Sequence, residues 1–127
     1  MVLKREFFIC VSIILFIIFR DVILNIHFEK EMNIMQNNIR DLQEVILENK
    51  DGNDMIKELN NNWKRFDSLA AYYTEHNELE KISLKINLIK KNIETGENDM
   101  TVEYLEELKF LLNHIYEKDK LTLKNIF

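Results

Sequence analysis

The chain has 127 residues, no proline, two glycines and one cysteine, and its formal net charge is −5. The absence of proline and the scarcity of glycine are typical of an all-helical protein. The excess of acidic residues argues against nucleic acid as a partner, because nucleic-acid-binding proteins present a basic face, and a single cysteine excludes an intramolecular disulfide or a cysteine-rich zinc site.

An apolar run, FFICVSIILFIIF, opens the chain at Phe7–Phe19. As a helix it covers about 20 Å of a bilayer core that is about 30 Å thick, so we expect the span to continue past Arg20 and Asp21 to Phe28. Residues 1–28 are therefore predicted to form an uncleaved transmembrane anchor. A cleaved signal peptide and a buried core helix are the alternatives. The first lacks a small-residue cleavage site, and the second does not fit a run that is apolar on every face.

The orientation of the anchor is predicted from the charges that flank it. Lys4 and Arg5 precede the apolar run and favour a cytoplasmic amino terminus with an extracytoplasmic carboxy-terminal domain, whereas Arg20 and Lys30 count against it. The predicted location is thus the cell membrane, with a single pass through the bilayer.

The segment after the anchor, residues 29–127, is predicted to form one helical domain. Its first helix is placed at residues 29–49, where nothing separates it from the anchor. Apolar residues recur there at spacings of 4, 3, 4, 3 and 4, at Phe28, Met32, Met35, Ile39, Leu42 and Ile46. Such a stripe packs in the core of the chain's own bundle or pairs with a second copy or a partner helix.

The second and third helices are predicted at residues 53–75 and 77–95. The second carries the stripe Ile56, Leu59, Trp63, Phe66, Ala70 and Tyr73, and the third carries Leu79, Ile82, Ile86, Ile89 and Ile93. Asn77 followed by Glu80 has the spacing of a capping box and places the new start at Asn77. One continuous helix with a shifted stripe is the alternative.

The fourth helix is predicted at residues 101–119, after Gly96 has ended the third helix. Its stripe is Leu105, Leu108, Leu112 and Ile115, with Phe110 and Leu111 widening the apolar face. Short connections make neighbouring helices antiparallel. The predicted fold is all-α, with an N-terminal transmembrane helix running into an antiparallel bundle of three or four helices.

Catalytic motifs are missing from the sequence, and we expect neither enzymatic activity nor a cofactor. If the third and fourth helices are antiparallel, one end of the bundle brings together His76, Glu78, Glu80, His114, Tyr116 and Glu117. The candidate metal ligands among them are His76, Glu80, His114 and Glu117. Histidine and glutamate on facing helices can bind a metal ion. The simpler interpretation is that these are charges suited to helix ends, so no metal site is assigned to them.

Several sequence strings resemble a clostridial family of small membrane-anchored helical proteins, catalogued only as a domain of unknown function. They are WKRFD from Trp63, HNELEKI from His76, LEELKFL from Leu105, HI from His114 and LTLKNIF at the carboxy terminus. The resemblance covers nearly the whole chain and implies a membrane-protein partner, since members are encoded beside a multi-pass membrane protein. It supplies no catalytic residue.

We therefore expect a single-pass accessory protein that binds another membrane or envelope protein. The residues predicted to face that partner are Arg20, Asp21, Met32, Met35, Ile39, Leu42 and Trp63. A self-associating coiled-coil protein that uses the α-helical stripe after Phe28 is the alternative. A bundle that senses a metal or ligand at His76, Glu80 and His114 is a third hypothesis.

Overall fold

Four α-helices make up the part of the chain that the computed structural model describes, which is residues 2–71 and 74–126, with side chains described for residues 3–71 and 74–118. The helices are α1 (Val2–Leu47), α2 (Asn53–Ala70), α3 (His76–Thr95) and α4 (Asn98–Ile126), and this part contains no strand. The predicted all-α class is confirmed, as is a long apolar N-terminal helix followed by a bundle, which has four helices.

The predicted anchor and the first bundle helix form one unbroken helix, because α1 spans 46 residues and passes through the predicted boundary at residue 28. No proline or glycine interrupts it. It ends where Asn49 takes a left-handed conformation (φ 58°) and the Lys50 backbone N–H donates to the Val45 carbonyl at 2.9 Å. This reversal satisfies a carbonyl of the last turn, as in other helix C-terminal motifs.

Each bundle helix packs against two neighbours: α1 against α2 and α4, and α3 against the same two. Contacts between side chains on α1 and α4 show the relative direction of these two helices. Asn98 donates to Asn49 at one end of the α1–α4 pair, and Tyr116 stacks on Phe28 at the other, with ring centroids 6.1 Å apart. Since higher numbers on α4 meet lower numbers on α1, these helices are antiparallel, and the bundle runs up and down in chain order.

The core is built from the predicted stripes. Its most deeply buried large side chains include Met35, Ile39 and Leu42 on α1, and Trp63 and Phe66 on α2. They meet the isoleucines of α3 and the leucines of α4. Four stripes facing one another remove apolar surface from water, and this is the main stabilising contribution to such a fold.

The connection between α2 and α3 differs in detail from its prediction. α2 ends at Ala70 rather than at residue 75, and Glu75 is extended (φ −62°, ψ 137°), so the two helices are not continuous. α3 begins at His76, with Glu75 at the N-cap position and no side-chain cap bond, which puts Asn77 inside the first turn. The predicted capping box is therefore wrong. Tyr73 lies outside the described residues.

α4 is longer than predicted at both ends. It begins at Asn98 rather than at residue 101, directly after Gly96 has reversed the chain in a left-handed conformation (φ 76°). The buried Thr101 hydroxyl donates to the Glu97 carbonyl at 2.8 Å, which places Thr101 within the first turn rather than at the cap. At the other end the backbone continues to Ile126, although the sequence predicts an end near residue 119.

Candidate interaction surfaces

The first half of α1 presents apolar side chains on all sides. Large hydrophobic residues from Leu3 to Ile26 are exposed around the whole helix, and none of its most apolar stretch is buried by the rest of the chain. Within the described residues, this is the one helix that is long and apolar enough to cross a membrane. Cys10 is exposed there among the other small and apolar residues.

Arg20 and Asp21 point to different surroundings although they are adjacent. Their side chains are 63% and 14% exposed, and the Arg20 Nε lies 4.0 Å from the Asp21 Oδ1. Asp21 precedes Phe28 by seven residues and so lies on the helix face that carries the core stripe. The fold itself covers most of Asp21, while most of the Arg20 side chain remains exposed.

α4 extends beyond the core alongside the apolar half of α1. Its backbone continues ten residues past Tyr116 (116 to 126), the residue that stacks on Phe28. At a rise of about 1.5 Å per residue, this is about 15 Å of helix beyond the level of Phe28. α2 ends and α3 begins near that level. The level is shown by Phe66, near the end of α2, which packs on Phe28 with ring centroids 4.8 Å apart. The end of the domain next to the apolar half of α1 is thus formed by α1 and α4.

The other predicted partner-facing residues lie inside the chain's own bundle. They are only 0–3% exposed: Met32, Met35, Ile39, Leu42 and Trp63. The two helices that pack against each of α1 and α2 supply apolar faces that help to cover them. A partner cannot touch these side chains without opening the bundle, so we place no interaction surface on them.

A few polar contacts tie the helices together within this core. The Trp63 indole Nε1–H donates to the Ser83 Oγ at 2.8 Å, and the buried Asn62 amide donates to the Asn38 Oδ1 at 2.6 Å. Arg65 in turn donates to the Asn62 side-chain oxygen. Pairing of buried polar groups removes the cost of leaving them without a partner, so these contacts explain Trp63 and Asn62 without an external partner.

The histidines and acids predicted to meet at one end form separate ion pairs. His76 Nε2 lies 3.0 Å from the Glu80 Oε1 on its own helix, and both side chains are exposed. His114 Nε2 lies 3.7 Å from Glu78, which also pairs with Lys118 at 3.2 Å. Glu78, rather than Glu80, is therefore the acid that meets His114. Glu117 is exposed.

These groups do not assemble into a ligand set. Among the side chains described for residues 3–71 and 74–118, no three histidine, cysteine or acidic residues are placed to hold a metal ion. Glu78 faces Lys118 as well as His114, and a lysine ammonium beside a carboxylate competes with a bound cation. His76 and Glu80 pair within α3, while His114 and Lys118 of α4 reach Glu78 of α3. Pairs of this kind contribute little at an exposed surface.

A groove between α3 and α4 is the surface that the sequence reasoning missed. It has a volume of about 700 Å³ and is lined by Lys81, Leu84, Lys85, Leu88, Glu106, Glu107, Phe110 and Leu111. Leu84, Leu88 and Phe110 are exposed to 63%, 42% and 71%. The spacing of Leu84 and Leu88, four apart and outside the core stripe of α3, is the sequence signal that could have identified it.

The family to which the chain belongs follows from a match over the whole bundle. The family model DUF4363, a domain of unknown function, matches residues 22–126. The chain belongs to the DUF4363 family. The matched region begins after the apolar run and includes all four helices of the bundle, so the DUF4363 domain is the bundle itself. No curated protein and no solved structure matches the chain.

Proposed function

We propose that this DUF4363 protein is a single-pass membrane protein whose helical domain binds another membrane or envelope protein and performs no catalysis of its own. The observation that carries the proposal is the continuity of α1, whose first half is exposed and apolar and whose second half is a core helix of the bundle. One helix thus links the proposed membrane segment to the folded helical domain without a flexible joint.

The exposed half of α1 fits a bilayer in length. From Leu3 to Ile26 it extends for about 36 Å as a helix, which is enough for a hydrocarbon core about 30 Å thick. Apolar surface left in water costs about 25 cal/mol per Å², and in the described part of the chain no residue of the most apolar stretch is buried. Burial in lipid removes that cost.

The junction between the anchor and the domain holds the domain in a fixed position relative to the anchor. Phe28 packs on Phe66 and stacks on Tyr116, so the helix is held by α2 and α4 where it enters the bundle. A partner in the same membrane therefore meets the domain at a constant height. Arg20 is the exposed polar residue that best fits a contact at this level, since its long side chain can extend to headgroups or to a neighbouring protein.

Lys4 and Arg5 support an orientation with the amino terminus in the cytoplasm and the domain outside. A test is to replace Cys10 by serine and introduce a single cysteine by Glu94→Cys, an exposed site on α3 far from the anchor. A maleimide that cannot cross membranes should label this variant in intact cells. Labelling only after the cells have been opened contradicts the orientation.

Partner binding is tested by cross-linking in native membranes. A photoreactive amino acid in place of Arg20 should cross-link the protein to another membrane protein, and the same complex should be recovered with the intact chain in mild detergent. The matched control places the photoreactive group at Lys90, an exposed site on α3. A chain that always runs alone as a monomer, and yields no adduct from Arg20, contradicts the proposed function.

Self-association is a second candidate, but not through the stripe that the sequence suggested, because that stripe is buried in the bundle. The α3–α4 groove is the surface that favours it. The hypothesis of a metal sensor at His76, Glu80 and His114 is not carried forward, since in the described part of the chain these side chains form separate ion pairs.

A further inference from the structure

The α3–α4 groove concentrates the apolar surface that the bundle leaves open. Beyond Ile26, five large hydrophobic side chains are exposed in the described part of the chain: Leu47, Leu84, Leu88, Met100 and Phe110. Three of them, Leu84, Leu88 and Phe110, line this groove. A cluster of this kind on a domain whose other stripes are buried marks an interaction surface.

We propose that a second copy of this chain covers the groove, in a parallel dimer whose two-fold axis runs along the bundle. The proposal rests on the proposed membrane anchoring, because two anchors in one bilayer with the same orientation allow only a two-fold axis along the membrane normal. Most homo-oligomers are symmetric dimers of this isologous kind.

The charges beside the groove are complementary to those of a second copy. Lys81 and Lys85 lie on the α3 side, and Glu106 and Glu107 lie on the α4 side. A two-fold axis parallel to the helices places α3 of one copy opposite α4 of the other. The basic side therefore faces the partner's acidic side, and this occurs twice. Opposite charges facing each other across an interface favour this partner over others.

An antiparallel dimer through the same groove is excluded by the groove charges and by the direction of the two anchors. A two-fold axis perpendicular to the helices sets α3 against the partner's α3, so Lys81 and Lys85 face lysines, and Glu106 and Glu107 face glutamates. It also directs the two anchors to opposite ends of the dimer. Like charges at an interface oppose association, and one bilayer cannot hold both anchors in that geometry.

The levels of the apolar side chains match in the parallel arrangement. The Lys85 Nζ pairs with the Glu107 Oε2 at 2.5 Å, which sets the register between α3 and α4. In this antiparallel register Phe110 lies level with residue 82, two residues from Leu84, or about 3 Å along the axis. Because the axis preserves the level of each residue, Phe110 of one copy meets the partner's Leu84, and the contact is repeated by symmetry.

Anchoring in a membrane allows a contact as small as the α3–α4 groove to hold two copies together. Two anchored copies diffuse in one plane and share one orientation, so their effective concentration is far above that of free domains, and a modest interface becomes occupied. The groove therefore does not need the area of a stable interface between soluble proteins, which is about 800 Å² per partner.

Charge reversal tests the facing of the two sides. The full-length double variants Lys81→Glu/Lys85→Glu and Glu106→Lys/Glu107→Lys each place like charges across the proposed interface. We expect the amount of dimer trapped by photo-cross-linking in membranes to fall about tenfold for each variant alone. The cross-linker must not react with amines, because the variants change the number of lysines. Coexpression of the two variants should restore it, because an all-acidic groove then meets an all-basic one. Restoration also shows that both variants fold.

Cysteine pairs test the register without altering the charges. In a chain with Cys10→Ser, Leu84→Cys on one copy and Phe110→Cys on a differently tagged copy should form a mixed disulfide on mild oxidation. This yield should exceed that of either variant by itself. Leu47→Cys is the matched control, since Leu47 is exposed and apolar but lies outside the groove. Alkaline extraction of the same membranes shows separately whether the chain is anchored.

Each outcome is decisive for the dimer. Loss with either charge variant, recovery on mixing, and a mixed disulfide between positions 84 and 110 support it. A wild-type chain that stays monomeric in the membrane overturns it, as does cross-linking through position 47 that equals that through position 110. An anchored but monomeric chain overturns the dimer alone, whereas a chain released by alkaline extraction contradicts the proposed function.

Discussion

The indole N–H of Trp63 donates to the hydroxyl oxygen of Ser83 at 2.8 Å and joins α2 to α3 inside the bundle. We predict that Ser83→Ala lowers the free energy of unfolding by about 1–2 kcal/mol, because it leaves a buried donor without an acceptor. Trp63 is the single tryptophan of the chain, and its fluorescence during urea unfolding in detergent reports the loss.

Ser68→Ala is the control for this change. The exposed Ser68 hydroxyl donates to the Lys64 carbonyl within its own helix, so its removal should alter the free energy of unfolding by less than about 0.5 kcal/mol. Equal effects of the two substitutions would show that the bond between Trp63 and Ser83 does not contribute to stability.

The stripe on α1 makes a second prediction, about core packing. Leu42 is fully buried, and Leu42→Ala should cost about 2–5 kcal/mol through lost burial and the cavity that remains. Leu47→Ala removes the same atoms from an exposed site on the same helix and should cost less than about 0.5 kcal/mol. Urea unfolding of both variants checks the difference. If Leu42→Ala lowers the free energy of unfolding no more than Leu47→Ala does, the α1 stripe is not part of the core. The hypothesis that this stripe binds a partner would then be favoured again.

The pair of Asn38 and Asn62 makes a third prediction, about coupling between α1 and α2. Their side chains hydrogen-bond at 2.6 Å, and Asn62 is buried. Replacing Asn38 by alanine removes the acceptor of the Asn62 amide N–H, and replacing Asn62 removes the donor to the Asn38 oxygen. The double variant should therefore cost about 1 kcal/mol less than the summed costs of the single variants. A double-mutant cycle in urea measures this coupling. A cycle of Asn61→Ala with Asn38→Ala is the control, as Asn61 is exposed; coupling of equal size in both cycles is inconsistent with a specific pair.

Gly96 makes a fourth prediction, about the turn between α3 and α4. Its φ of 76° lies in the left-handed region, and a Cβ there would meet no atom within 4 Å. Gly96→Ala should therefore destabilise through backbone strain alone, by about 1–2 kcal/mol. Gly96→Asn should cost less, because asparagine tolerates this conformation better. Thermal unfolding of the two variants compares them, and an alanine variant as stable as the parent contradicts the assigned strain.

Helix content and core membership could be predicted from residue types alone. Among the residues that the structure describes, the apolar stripes from Phe28 to Ile115 are buried together as expected, with Ile93 partly buried at the edge of the core. Helix ends were less predictable. The fourth helix was predicted to begin at residue 101, but it begins at Asn98, and Thr101 donates to the carbonyl of Glu97 from within the first turn. The start of a helix depends on which hydrogen bonds the folded chain completes as well as on residue type.

The partner surface could not be read from the stripe, because periodicity does not say what covers an apolar face. Met35 and Trp63 have the pattern of an interface and of a core equally well. Their burial follows only from the neighbouring helices that lie against α1 and α2 in the folded bundle. Asp21 illustrates the same point, since its position among apolar residues suggested a need for a partner, whereas the folded chain already covers most of it.

The sequence by itself determined that this chain is helical, that its first helix is apolar on all sides, and which faces of the later helices are buried, because these properties depend on local spacing and composition. Tertiary structure alone decided that Leu84 and Phe110 share one groove, that Glu78 rather than Glu80 meets His114, and that α1 and α4 together reach beyond the core. Those relations join residues far apart in the chain. They are set by the register of antiparallel helices, which only the packing of complete side chains against one another specifies.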